Sequence, residues 1–512
     1  MSEGVRRTGR QRRPAPRLDV GGDDRSREQA LRKSLLEVQR VVHEAPDAPV
    51  LHPTEDEWRD FYTYIESMKP LGLAHGILKI IPPPSMRNTP DGQKFAEQML
   101  QHPSSFPVRR QEIHRLQEGI GFDETKRYTS QNYKEAAEDA MDAWLRIQAS
   151  VTSSENGKDE SSLNISQAEA EYWKIVERAS QHEYMAEYAN DLDSARHGTA
   201  FDETTLKRWG WHLGTLADGQ QSALQSIGEP IAGVTYPWLY FGMLFASFCW
   251  HNEDHHLYSI NYHHAGAPKT WYGIPGKHAE KFERALRNSF PLRFLEDPDL
   301  LHLLVIQASP SLLLQQGLDV VRAVQEPGEM VVTWPKAYHC GFSHGWNCSE
   351  AINFAPFDWL PKGFEAVGKY CKMGGKRKPL FSHDRLVFEL AQHALKAGVV
   401  DALKQVLEEE RAWRQGILEE GATDASVRYG RANLPSLAGD STEPACSHCA
   451  TLMFLSCITC SCSPTEPRCL AHAHIGSAAS AQGAMRQHGH LLPVTISTLR
   501  IDSQPALCTA GV

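Results

Sequence analysis

The chain has 512 residues, 41% of them hydrophobic and 23% charged, with a formal net charge of −10; this suits a globular protein of two to four units and excludes one that lives on phosphate backbone through bulk positive charge. No apolar run approaches the ~20 residues of a membrane span. The N-terminus lacks the apolar stretch and small-residue cleavage site of a secretory signal, so a soluble, non-secreted protein with no membrane partner is expected.

Residues 1–45 read as a disordered basic arm with a short helix near Arg27–Val42. Its Arg6, Arg7, Arg10, Arg12 and Arg13 suit a nuclear address, a weak nucleic-acid contact or simply a solvated tail, and a second basic run stands at Lys376, Arg377 and Lys378. Residues 46–90 form a small helix and strand unit: Trp58, Phe61 and Ile65 recur at helical spacing, and the apolar run Gly76–Ile81 is closed by three prolines. Residues 91–204 are largely helical by pattern, with a polar loop near 153–162. Within 205–370 the texture becomes β-rich, with strands expected in Pro237–Trp250, Leu257–His263, Thr270–Ile274, Glu329–Trp334 and Glu350–Ala355, a pattern of barrel or sandwich type. A helix interrupts them at Lys277–Phe290, carrying Phe282, Leu286 and Phe290. Residues 371–435 turn helical again, with Leu386, Leu390 and Ala394 on one face, 444–475 are cysteine-rich, and 476–512 read as a disordered tail.

In Cys249-Trp250-His251-Asn252-Glu253-Asp254, alternation along a strand points His251 and Glu253 to the same side. His339, after the strand Glu329–Trp334, completes two imidazoles and one carboxylate. Three ligands on one face of a metal leave room for a bidentate cosubstrate and dioxygen; the same spacing also suits an ordinary buried polar pair. Ser259, Asn261, Lys269 and Trp271 lie on the next strands, where a dicarboxylate needs a cation and hydroxyl or amide donors. Lys269 is the natural cation, unless it is an edge lysine.

Read together, Trp238-Leu239-Tyr240-Phe241-Gly242-Met243, Ser247 to His255, Ser259-Ile260-Asn261-Tyr262, Pro268 to Gly273 and Trp359-Leu360-Pro361 resemble the JmjC domain of histone lysine demethylases, most closely the subfamily acting on lysine 4 of histone H3. Pro49–Met86 is similar to that family's JmjN segment and Glu171-Tyr172-Trp173-Lys174-Ile175-Val176 to its pre-catalytic segment. The resemblance implies a mainly β catalytic core, a double-stranded β-helix of cupin-like barrel type, with helical segments before and after it and a C-terminal zinc-binding region. It implies Fe(II) held by His251, Glu253 and His339, and a 2-oxoglutarate pocket of Tyr188, Ser259, Asn261 and Lys269 walled by Phe248 and Trp271. It assigns Tyr240, Ala351 and Asn353 to the methyl-lysine substrate. Chromatin, the histone H3 tail and a nuclear location follow from the same resemblance. The other activities within reach are a demethylase for lysine 9 or 36, a Jumonji protein hydroxylase, and a silent chromatin-binding scaffold.

The chain departs from the family in places. Tyr188-Ala189-Asn190-Asp191 stands where Tyr-Gly-Ala-Asp is usual, Ser343 where Asn is frequent, and His263 where an apolar residue is expected. No cysteine occurs between residues 80 and 230, which excludes a zinc-bound PHD finger there, and no ARID domain is recognisable, so the architecture resembles the shorter plant or protist type. Six of the eleven cysteines lie between Cys446 and Cys469. Cys446, Cys449, Cys460, Cys462, Cys469 and His472 have the spacing of Zn(II) ligands and resemble a C5HC2-type finger, whereas Cys457 reads as a core cysteine. The family pattern ends on two further cysteines, yet none follows Cys469 before Cys508, so one zinc site is completable and the second is not, unless His474, His488, His490 or Cys508 substitutes.

Overall fold

The computed structural model describes residues 45–473 except 88, 102–103, 153–163, 181, 374, 376, 395, 420–422, 430–443 and 461–462, together with 486–487, 490–491 and 494–499. The expected helix at Arg27–Val42, the polar loop at 153–162 and most of the 476–512 tail lie outside the described residues.

Thr54 starts the helix Glu55–Arg59 by accepting the Glu57 N–H while the Glu57 carboxylate takes the Thr54 N–H. This is the reciprocal cap that a Thr-x-x-Glu sequence encodes. The helix buries Trp58 with its ring 5.2 Å from both Trp209 and Trp211, and the Trp211 indole donates to the Trp58 carbonyl at 2.6 Å. Truncating a tryptophan so placed costs roughly 3–5 kcal/mol.

With strands numbered in chain order, β1 (Val50–Leu51) runs parallel to β2 (Ile77–Ile80), and β2 pairs antiparallel with β11 (Met330–Thr333), Ile80 opposite Met330. The early unit thus extends a nine-stranded sheet ordered β1, β2, β11, β8 (Tyr258–Gly266), β13 (Asn347–Phe354), β6 (Trp238–Gly242), β5 (Met185–Asp193), β3 (Ser105–Glu112), β4 (Asp123–Thr129). A four-stranded sheet follows the order β10 (Val321–Gln325), β9 (Lys269–Ile274), β12 (Tyr338–Ser343), β7 (Ser247–His251). The helix Ile165–Val176 is fastened to it by the buried Glu169, which accepts from Arg322 of β10 at 2.6–2.9 Å and from the Tyr272 hydroxyl of β9 at 2.5 Å. A buried carboxylate requires such saturation.

The fold bears out several expectations in part. The core is mixed α/β with several sheets, and no strand ladder among the described residues joins the four-stranded sheet to the nine-stranded one to close a barrel. The region read as largely helical does hold the helix Ser130–Thr152, but it also supplies β3, β4 and β5. In β3 only Phe106 and Val108 alternate inward before the exposed Arg109 and Arg110, and β4 is almost entirely exposed and polar. Such strands exist because of their partners and carry no periodicity of their own. The single run Pro237–Trp250 is broken into β6 and β7 at Phe245, whose φ is 61°. The expected helix at Lys277–Phe290 is present as Ala279–Ser289, with Phe282 and Leu286 buried.

Three helices follow the sheets, Leu360–Lys372, His383–His393 and Ala397–Glu419; the second buries Leu386 and Leu390, and Ala394 caps its end. No described helix is long and apolar enough to cross a membrane. A separate four-stranded sheet takes Thr423–Tyr429, Val494–Leu499, Ser456–Cys460 and Ser463–Arg468 in that order.

Candidate active site

His251 ends β7 directly opposite His339 on β12, and their rings are 4.2 Å apart. Glu253 lies beyond the strand end, in extended backbone with φ −67°, so chain direction after β7 brings it in, not alternation along the strand. Its Oε1 is 3.3 Å from His339 Nε2, and the ligand atoms of all three residues lie within 4.8 Å of one another. The Cys249 carbonyl is 2.7 Å from His251 Nδ1, which makes Nδ1 the protonated nitrogen and leaves Nε2 free to ligate. Burial, then the neighbouring His339, lowers the His251 pKa to about 4. Burial pushes Glu253 upward, but its hydrogen bond with His339 and the two imidazoles outweigh this and hold it below the usual carboxylate range. At neutral pH the set offers a neutral imidazole on His251 and an ionised carboxylate, the protonation states a divalent metal requires.

A cavity of about 770 Å³ opens between the two sheets, large enough for a small-molecule cosubstrate and an inserted side chain. Every catalytic, cosubstrate and substrate residue expected from the sequence lines it: Tyr188, Tyr240, Phe248, His251, Glu253, Ser259, Asn261, Lys269, Trp271, His339, Ala351 and Asn353. Lys269 pairs with Ser343, four residues along β12 from His339, hence roughly 13 Å down the strand at ~3.3 Å per residue. It is 1% exposed, its Nζ stands 5.9 Å from the ring centroids of both Tyr188 and Phe248, and burial lowers its pKa to about 8.

Trp271 lies between that lysine and the triad, its indole donating to Gln325 Oε1 at 2.8 Å and its ring 4.5 Å from Phe248. The Gln325 amide also donates to Asn261 Oδ1 at 3.1 Å, and the Ser259 and Thr333 hydroxyls are 2.6 Å apart. Tyr240 is 6.2 Å from the Tyr188 ring and donates to Asp191 at 3.2 Å. Asn353 donates to the Tyr258 carbonyl at 3.2 Å, and Ala351 pairs with Asn261. Gly341 is dictated by space: a Cβ there would lie 2.1 Å from the Thr270 carbonyl and 2.4 Å from the Phe248 ring.

The departures from the family pattern are accommodated locally. His263 is buried and satisfied by Ser349 and the Ala267 carbonyl, each at 3.0 Å, and burial lowers its pKa to about 3. Along Tyr188–Asp191 a register shift separates Ala189 from Leu192, and Asp191 takes a left-handed φ of 55°. Charged cavity residues also come from outside the expected set. Arg109 and Asp191 sit on strands in the stretch read as helical, and Arg377, read as part of a basic run, is mostly buried with Lys376 outside the described residues.

The C-terminal cysteines form a second group. Donor atoms of Cys446, Cys449, Cys469 and His472 lie within 4.8 Å of one another, a Cys₃His set suited to tetrahedral zinc. Cys462 and the side chain of Cys460 lie outside the described residues. Cys457 is buried and packs beside the group without joining the four donors. Cys371, from the helix Leu360–Lys372, also packs there, its Sγ 3.3 Å from Thr451 Oγ1, which is 3.1 Å from Cys449 Sγ. Sequence spacing could not reveal that contact, since 80 residues separate its partners.

Comparison with known proteins agrees with this geometry. Residues 238–354 match the JmjC domain, hydroxylase, and residues 49–82 the jmjN domain. The chain therefore carries a jmjN domain and a JmjC domain of the hydroxylase type, and it is similar to proteins named as lysine-specific demethylases. It is 35% identical over 489 residues to the lysine-specific demethylase JMJ703 of Oryza sativa subsp. japonica, covering 83% of this chain and 39% of that protein. It is 33% identical over 506 residues to the putative lysine-specific demethylase JMJ16 of Arabidopsis thaliana, covering 83% of this chain and 41% of that protein. The chain spans about two fifths of the length of these curated relatives.

Proposed function

We propose that this chain is an Fe(II)- and 2-oxoglutarate-dependent oxygenase that demethylates trimethylated or dimethylated lysine 4 of histone H3 on chromatin in the nucleus. The observation that carries the reading is the convergence of the His251–Glu253–His339 triad and a buried lysine, Lys269, on one cavity between two sheets. Relatives named as lysine-specific demethylases support the substrate class. In this reading the two sheets are the halves of a double-stranded β-helix, the JmjN segment occupies 46–90, the catalytic domain 205–370 and the zinc finger 444–475.

Iron bound here would supply, with 2-oxoglutarate and dioxygen, the oxidising chemistry for hydroxylating an N-methyl group, with succinate, carbon dioxide and formaldehyde as the products beside the shortened methyl-lysine. His251, Glu253 and His339 would hold that metal from one side, and three protein ligands are few enough to admit a bidentate cosubstrate. Lys269 gives the remote carboxylate of 2-oxoglutarate a cation, Ser259, Asn261 and Tyr188 supply polar partners, and Phe248 and Trp271 exclude water from the cosubstrate. Tyr240 presents a ring and hydroxyl, beside Ala351 and Asn353, to a diffuse methylammonium cation. The chain's net charge of −10 suits a basic histone tail, and the N-terminal arginines add a weak nucleic-acid contact. Cys446, Cys449, Cys469 and His472 would hold one zinc of a C5HC2-type finger, a pattern to which the sequence spacing adds Cys460 and Cys462.

The test is a panel of histone H3 peptides trimethylated at lysine 4, 9, 27 or 36, incubated with Fe(II), ascorbate and 2-oxoglutarate and read by mass. Loss of CH₂ units from the lysine 4 peptide alone is expected. Loss from another peptide overturns the site preference, and a gain of one oxygen replaces demethylation by stable hydroxylation.

A further inference from the structure

The turn that carries the Glu253 carboxylate is strained. Immediately after it, His255 has φ 52° and His256 φ 50°. A non-glycine residue held left-handed costs on the order of 1–3 kcal/mol and persists only where its surroundings impose it. Those surroundings come from the chain after the sheets. Arg377 Nε donates to Asp254 Oδ1 at 2.8 Å, and its Nη2 donates to the Asn252 carbonyl at 3.3 Å. The Tyr370 hydroxyl accepts the His255 N–H at 2.7 Å and donates to Asp254 Oδ1 at 3.3 Å. The Leu380 N–H donates to His255 Nε2, and the Trp359 indole to the His255 carbonyl, each at 3.0 Å. The His255 ring stacks on Phe381 at 4.1 Å with 9° between planes.

Within this clamp Arg377 alone grips the residues on both sides of Glu253, and its side chain is 14% exposed at the wall of the same cavity. Its planar fork suits two acceptors set at fixed directions, which a lysine ammonium on a flexible stem matches poorly. We propose that Arg377 is a positioning residue of the metal centre: by holding the Asp254 carboxylate and the Asn252 carbonyl together it fixes the direction in which Glu253 meets the metal. The strap 377–381, beyond the catalytic sheets in sequence, is thereby part of the iron site. The inference rests on reading His251, Glu253 and His339 as that site. Removing a partner that orients a metal ligand typically weakens metal affinity 10–100-fold, whereas an ion pair of ordinary surface kind contributes almost nothing.

Manganese(II) alone is the probe, titrated into the full zinc-loaded, iron-free chain, with free manganese read by electron paramagnetic resonance; a thiolate-rich zinc site does not favour this ion. Arg377→Ala should weaken manganese binding about 10–100-fold, Arg377→Lys should recover only part, and Asp254→Asn combined with Arg377→Ala should be little worse than either alone. Melting temperatures check folding, and if Arg377→Ala does not fold, Arg377→Lys and Asp254→Asn make the comparison. Wild-type affinity in these variants, or fully additive losses, overturns the proposal. A wild-type chain that binds no manganese, or binds it equally as His251→Ala, overturns the metal-site reading and this inference with it.

Discussion

Replacing Lys269 with methionine should move cosubstrate affinity and stability in opposite directions. The lysine is buried, and its pKa falls from 10.5 to about 8 through burial. At ~1.36 kcal/mol per pH unit that difference corresponds to roughly 3 kcal/mol against the charged form in the cosubstrate-free chain. Below pH 8 both the folded and the unfolded chain carry the proton, so the folded state bears the whole penalty. Between about pH 8 and 10.5 the unfolded chain binds the proton and the folded chain does not, so stability rises with pH through that window. Lys269→Met removes the penalty and should stabilise the cosubstrate-free chain at pH 7 by up to ~3 kcal/mol, seen as an upward shift of the urea midpoint. The same change leaves the remote carboxylate of 2-oxoglutarate buried without a cation, a loss of roughly 2–5 kcal/mol and hence of ~30-fold or more in affinity. Calorimetric titration of 2-oxoglutarate against both proteins provides the second readout. A variant that binds 2-oxoglutarate like the wild type, or unfolds at lower urea, would refute the assignment of Lys269 as the buried cation of the cosubstrate pocket.

The Kd for 2-oxoglutarate should stay flat below about pH 8 and rise toward tenfold per pH unit above it as Lys269 loses its proton; calorimetry across that range checks this, and a flat profile to high pH contradicts it. Gly341→Ala should destabilise the chain by roughly 1–3 kcal/mol or more, because the Cβ meets the Thr270 carbonyl at 2.1 Å and the Phe248 ring at 2.4 Å; an unchanged urea midpoint would show that the close approach of β9 and β12 is not real. Cys449→Ser should lower the zinc content by one ion per chain by elemental analysis and expose the region after residue 444 to limited proteolysis, and undiminished zinc would count against the Cys₃His site.

Much of the site was legible because its chemistry is concentrated in short stretches. His251 and Glu253 are two residues apart, and Ser259, Asn261, Lys269 and Trp271 follow within twenty residues on hydrophobic strands that leave polar side chains conspicuous. Alternation along β7 accounts for His251 alone, since Glu253 reaches the site from beyond the strand. What remained hidden depends on pairings that local pattern does not encode. β4 is polar along its length and exists through β3, and β12, which carries His339, is fixed between β7 and β9. Arg377 resembles any solvated basic residue until the fold turns it onto Asp254. Cys371 resembles a scattered core cysteine until the helix Leu360–Lys372 lays it against Thr451.

In the proposed reaction the His251–Glu253–His339 site couples 2-oxoglutarate oxidation to removal of a methyl group from lysine. The most direct measurement is formaldehyde released per succinate formed on a histone H3 peptide trimethylated at lysine 4, with His251→Ala alongside. The wild type should give equal amounts of both products and the variant neither. Succinate without formaldehyde, or formaldehyde that survives in His251→Ala, would contradict that coupling.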